Sequence, residues 1–299
     1  MQFLEATFKP LVLVFTVAHL ATMGLRARMP EVVAVVKNKK VLALIFVWGW
    51  VLGPALGLLI AWVLPLAEPY VICVLIASLA SCGPFLPPMV EKARGDVNFA
   101  GAFIPLVAVG TVFFMPLIAP LLIKGVTISA GALAKPLFVT LLVPLVIGAA
   151  TRHYAGTVAT KIFPAVRGLA KLSTLLMVVA CFVLYGRAML DTAGSFALLS
   201  MTIFMVAKGL ITYRFGFGLK QNQRSVMSLG MLTPNGAAMF VAILAIPDAD
   251  PRILTMAVMW TVWSIALAAI AARIFAKQAG ETGAGLGKAI VDRRDRDSI

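Results

Sequence analysis

Long apolar runs separated by short polar connections repeat along the whole chain. An apolar run of about twenty residues is the length a helix needs to cross hydrocarbon. The pattern predicts nine such spans, near residues 10–25, 41–64, 70–90, 98–123, 136–151, 172–190, 195–213, 225–246 and 253–275. Two of them are interrupted. The third contains SLASCGPFLPP (78–88), where Gly83, Pro84, Pro87 and Pro88 fall within six positions. The eighth contains SLGMLTPNG (228–236) before the apolar run resumes. Each proline removes a backbone donor and clashes with the carbonyl one turn earlier. Irregular backbone at membrane depth survives only where protein covers it or a wet cavity receives it.

The breaks form a pair. Ser78 precedes Pro84 by six residues, and Ser228 precedes Pro234 by six. They lie five crossings apart, so the two segments thread the bilayer in opposite directions. Broken helices at corresponding places in antiparallel halves point to an inverted-repeat transporter. At each break two half-helices present free N–H groups and free carbonyls, which can hold ions without a charged side chain. The expected fold class is an all-α polytopic membrane protein of about nine transmembrane helices, an inverted repeat with two broken crossing helices. Residues 1–275 form the membrane domain, and the polar tail 276–299 is expected to be disordered and cytoplasmic.

Composition agrees: of 299 residues, 61% are hydrophobic and 13% charged, with mean hydropathy +1.00. The formal net charge of +14 raises the question of a nucleic-acid partner, but its distribution answers it. Taking alternate connections as cytoplasmic places 21 of the 26 basic residues on one side. That bias is the positive-inside pattern for an outer N-terminus and a cytoplasmic C-terminus. The charge therefore reports topology rather than nucleic-acid binding. Glu5 and Lys9 before the first run do not resemble a basic leader, so that run reads as a first span. Cys73, Cys82 and Cys181 lie in apolar segments, with neither a disulfide framework nor metal-ligand spacing. All twelve acidic residues fall in connections, tails or span ends.

The candidate binding residues cluster at the breaks: Ser78, Ser81, Cys82, Gly83, Pro84 and Pro87 in the first, and Ser228, Thr233, Pro234, Asn235 and Gly236 in the second. Serine and threonine in membrane helices also bond back to their own helix. Asn235 is the strongest single candidate, because a mid-span amide without a partner is costly. His19, in the middle of the first span, is either functional or neutral and bonded to a carbonyl. Lys208 stands two turns before Arg214 and is expected to snorkel to the cytoplasmic surface. Neither a catalytic set nor a metal set is expected.

The segment SCGPFLPPMVEKARGDVNFAGAFIPLVAVGTVFFMPLIAPLL resembles the third and fourth helices of the bile acid:sodium symporter family, through Gly83-Pro84, Ala93-Arg94-Gly95-Asp96 and Met115-Pro116. QRSVMSLGMLTPNGAAMFVAIL resembles that family's second broken helix through Gly230-Met231 and Asn235-Gly236, and Met23-Gly24-Leu25 before a basic loop also fits. The resemblance implies a panel domain of spans 1, 5 and 6. It also implies a core of spans 2–4 and 7–9, with helices 3 and 8 crossing at their breaks. It implies sodium ligands too, and there the chain departs. Leu86 and Pro87 stand where the family has a Ser-Asn pair, and Ser228 where it has a glutamate. The family's glutamine falls near Leu232 or Thr233, another is missing from Trp48 to Pro54, and Ala100 and Ala108 or their neighbours replace hydroxyl residues. No cofactor is expected. Sodium remains conceivable through carbonyls alone, but the usual ligands are absent.

The expected function is a secondary transporter moving a small organic anion by alternating access, not an enzyme. Its partners are that solute and the lipid bilayer, in the inner (plasma) membrane of a bacterium. The oligomeric state has no signature in the pattern. Alternatives are an arsenite-type or other efflux permease of the same superfamily, in which Cys82 would be essential, and a non-transporting membrane sensor.

Overall fold

The computed structural model describes residues 2–83, 85–123, 129–192 and 194–297; the side chains of 2–7, 9, 181, 185, 188–191 and 281–297 are outside the description. The described residues are helical apart from connections and one isolated β-bridge. Helix α1 (Gln2–Arg26) turns by 84° into α2 (Met29–Lys37), and α3 (Lys39–Phe46) continues through a π-helical turn into α4 (Gly53–Val63). Then come α5 (Glu68–Leu79), α6 (Leu86–Lys92), α7 (Val97–Leu122), α8 (Ala130–Leu137) and, after a second π-helical turn, α9 (Val143–Tyr154). The series ends with α10 (Gly156–Thr192), α11 (Ala197–Arg214), α12 (Gln221–Leu232), α13 (Gly236–Leu244) and α14 (Pro251–Asp297).

Local chemistry accounts for these boundaries. The π-helical turns Val47–Leu52 and Phe138–Leu142 end just before Pro54 and Pro144. A proline ring crowds the carbonyl four residues earlier, and one widened turn relieves that crowding without ending the span. Asp96 Oδ1 accepts from the Phe99 N–H at 2.9 Å and starts α7, as Asn235 Oδ1 accepts from the Ala238 N–H at 3.3 Å and starts α13.

Among the described residues six helices are long and apolar enough to cross a membrane, or seven if the bent α1–α2 pair counts as one span. The expected third and eighth spans are not single helices. Each is divided into two short helices, α5 with α6 and α12 with α13, because the prolines and glycines leave the intervening backbone unhelical. Large apolar side chains stay exposed on the outer faces, Leu117, Leu121 and Ile147 among them, as lipid-facing positions require. The chain is an integral membrane protein. Lys208 corrects the expectation of snorkelling, for its side chain is 1% exposed and turned into the core.

Helix α1 packs along both α9 and α10, and at its seam with α9 Gly24 lies against the backbone of Gly148. On the other side α5, α6, α7 and α11 to α14 enclose the crossing of the two broken segments. The basic connections gather at one end of the helices: Lys40 approaches Gly218, Arg94 approaches Gly280, and Arg26 approaches Phe163. In the connection before α14, Arg252 donates to Asp250 at 2.7 Å, and this hydrogen bond holds the Asp250 carboxyl below its usual range.

Candidate functional site

The two broken segments meet. Ser81 and Pro234 form an antiparallel β-bridge between the stretches that follow α5 and α12. The Cys82 N–H donates to the Gly230 carbonyl at 2.9 Å, the Gly83 N–H to Thr233 at 3.0 Å, and the Asn235 N–H to Ala80 at 2.9 Å. Donors released by one break thus find acceptors on the other, which satisfies these backbone groups at membrane depth. Cys82 adopts φ 69°, a left-handed conformation that a non-glycine residue holds only when its surroundings fix it.

Most of the predicted side chains are spent on this structure. The Ser78 hydroxyl donates to Leu75, Ser228 to Gly209, and Thr233 to Leu229, all to carbonyls at 2.7–2.9 Å. Ser81 Oγ accepts from Lys208 Nζ at 2.8 Å. Asn235 caps α13 with its oxygen, while its Nδ2 is buried without a hydrogen-bond partner among the described residues. Cys82 is buried, Gly83 and Pro234 belong to the bridge region, and Gly236 opens α13 against Thr261. Pro84 lies outside the described residues.

His19 and Pro87 have a different setting. They line a cavity of about 420 Å³ between α1 and α10 on one wall and α6 and α7 on the other. Its inner end is formed by His19, Thr174, Phe85, Pro87, Ala100 and Ile104. Toward the basic end of the molecule its walls carry Arg26, Arg28, Arg167 and Lys171 against Glu31 and Glu91. Arg28 and Glu31 face each other at 3.5 Å. The lining is thus apolar within and has an excess of positive charge at the mouth. Such a chamber attracts an anion and accommodates its carbon skeleton.

At the inner end, the Thr174 hydroxyl donates to the Ala170 carbonyl at 2.7 Å, and its oxygen lies 2.8 Å from His19 Nε2. Since the hydroxyl proton is already committed, Nε2 carries the imidazole proton and donates to Thr174. The His19 ring also stands edge-on to Phe15 and Phe85 at centroid distances of 4.6 and 5.6 Å. His19 therefore ties α1 to α10 and meets Phe85 beside the first break. Thr174→Val removes this acceptor and leaves the imidazole only the Ala170 backbone as a partner, which costs about 1 kcal/mol. Its thermal melt in detergent is expected to fall accordingly, whereas Thr174→Ser should keep the wild-type value.

Phe85, Thr174 and the basic mouth were not singled out from sequence. In the sequence the arginines read as part of the topological bias, and only the pairing of α1 with α10 shows that they share a chamber. Lys208 carried a usable signal, since it lies inside a span that already ends in Arg214. Among the described residues no three His, Cys, Asp or Glu side chains gather as a metal site. Cys82 does not line the cavity.

A search of curated proteins finds no matching relative. A family model described as "Sodium Bile acid symporter family" matches residues 11–192, more than half of the chain and inclusive of the first break and both walls of the cavity. The matched region carries the first break and the whole cavity lining, and the chain belongs to the sodium bile acid symporter family of membrane transporters.

Proposed function

We propose that the chain is a secondary transporter that moves a small organic anion by alternating access, with the chamber between α1/α10 and α6/α7 as its binding site. The observation that carries this reading is the lining, where an apolar inner end capped by His19 and Phe85 opens past Arg26, Arg28, Arg167 and Lys171. A carboxylate is held by the basic mouth while its carbon skeleton occupies the inner end.

In this reading the protein has nine spans as two inverted repeats, counting the broken pairs α5/α6 and α12/α13 as one span each. Helices α1, α8–α9 and α10 form a panel, and the remaining spans form a core that moves against it. The outer N-terminus and cytoplasmic C-terminus follow from the basic connections, in the inner membrane of a bacterium. The chamber then opens toward the cytoplasm. Cys82 lies outside the chamber lining, which favours an organic anion over arsenite.

Purified protein reconstituted in liposomes should take up radiolabelled mono- or dicarboxylates saturably, and unlabelled acid should compete. Absence of saturable flux across a broad carboxylate panel, in a protein that melts cooperatively, overturns the proposal and leaves a sensor role.

A further inference from the structure

The crossing holds a charge that the proposed transport cycle does not use. Lys208, on α11, is among the largest fully buried side chains of the protein. Its ammonium donates to Ser81 Oγ at 2.8 Å and stands 5.4 Å from the centre of the Phe204 ring. No ion pair is formed by Lys208 among the described residues. A buried charge needs compensation, and here its hydrogen bond goes to the uncharged Ser81 hydroxyl, just past the end of a half-helix.

The Ser78 carbonyl lies close by, across the space beside Gly53. In an unbroken helix it would accept from the Cys82 N–H, but that donor is turned to Gly230 across the crossing. Gly53 marks the place where this carbonyl and the ammonium converge. A methyl group on Gly53 would lie 2.3 Å from Ser78 O and 3.0 Å from Lys208 Nζ. The freed carbonyl, the Ser81 hydroxyl and the negative end of α5 together make an oxygen-rich position suited to a hard monovalent cation. Sodium is the cation in this family's description, yet the residues present do not fit it here. The Lys208 amino group already takes the Ser81 hydroxyl, and among the described residues no carboxylate pairs with it to balance an added cation.

We propose that the Lys208 ammonium is a tethered cation, filling at the crossing the position that an exchangeable monovalent cation would otherwise take. The crossing is then held together without sodium, and the wild-type protein is indifferent to it.

The test compares melting temperatures of purified wild type, Lys208→Ala and Lys208→Met in choline, sodium and methylammonium chloride at equal ionic strength. Wild type should melt identically in all three. Lys208→Ala, which removes the charge and opens space, should melt lower in choline. It should regain about 5 °C with saturating sodium or methylammonium. Lys208→Met fills the space without charge and should melt low in every salt. Stabilisation of wild type by sodium, a Lys208→Ala protein that melts alike in all salts, or a Lys208→Met protein as stable as wild type would each overturn the proposal. If Lys208→Ala cannot be purified, Lys208→Met decides alone by the same criterion. The readout is stability, so its failure is distinguishable from failure of the uptake experiment.

Discussion

Gly24→Ala is expected to melt roughly 5–10 °C below wild type, a loss of about 2–3 kcal/mol. The added methyl would stand 2.2 Å from the Leu145 carbonyl oxygen and 2.8 Å from the Ala149 nitrogen. Both are backbone atoms of α9 and cannot turn aside as a side chain could. The contact is mutual, because a methyl on Gly148 would lie 2.6 Å from the Ala21 carbonyl. Membrane helices gain little from excluding lipid and depend on close backbone approach, so small residues at the seam set the distance. Gly148→Ala should fall similarly, and the double variant by less than the sum, since both lesions widen one seam. Gly168→Ala on α10 has nothing within 4 Å of the new methyl and should melt at or above wild type, by helix propensity alone. Equal melts for Gly24→Ala and wild type would mean that α1 and α9 do not meet in this register.

The second large effect concerns transport. Arg167→Glu should raise the KM for a carboxylate substrate at least about tenfold at low salt, with little change in melting temperature. Arg167 is exposed at the chamber mouth, beside Arg26, Arg28 and Lys171. Reversal removes one positive charge and adds a negative one where the entering anion is drawn in. Such an effect is screened, so the ratio to wild type should shrink as ionic strength rises past the range where the Debye length falls below about 8 Å. Lys277→Glu makes the same change on α14, outside the chamber lining, and should leave the KM unaltered. A salt-independent loss, or an equal loss for Lys277→Glu, would separate these residues from the substrate path.

Backbone chemistry made much of this molecule legible in advance. Proline and glycine positions disclosed both breaks, because the missing donors act wherever the segment ends up. Alternation of basic and apolar stretches disclosed the membrane class, because bilayer thickness imposes a length scale. Side-chain partnership across the fold was not legible. For Ser78, Ser228 and Thr233 the sequence left open whether the hydroxyls face a ligand or bond back to a helix; they donate to carbonyls, within their own helix or, for Ser228, on α11. The arginines of the chamber mouth lie more than 140 residues apart in sequence, at 26 and 167, and only the packing of α1 on α10 unites them. Lys208 looked like a surface residue because a lysine has the reach to escape hydrocarbon. Its true direction depends on the glycine at 53 and the serine at 81, which no local pattern connects to it.

The hydrogen bonds at the crossing also govern how the chain is made. The amide groups of Cys82 and Gly83 find their acceptors on Gly230 and Thr233, about 150 residues later. At about 5–20 residues per second, a ribosome needs roughly 7–30 s to deliver them. Throughout that interval the first break is in or near the membrane with its donors unanswered by their native partners. A nascent chain halted before residue 230 cannot close it, however well its earlier spans have inserted. Completion of the second broken segment is therefore the event that commits the first to its native place, and a chain truncated before it should be recognised and degraded rather than accumulate as a partial transporter.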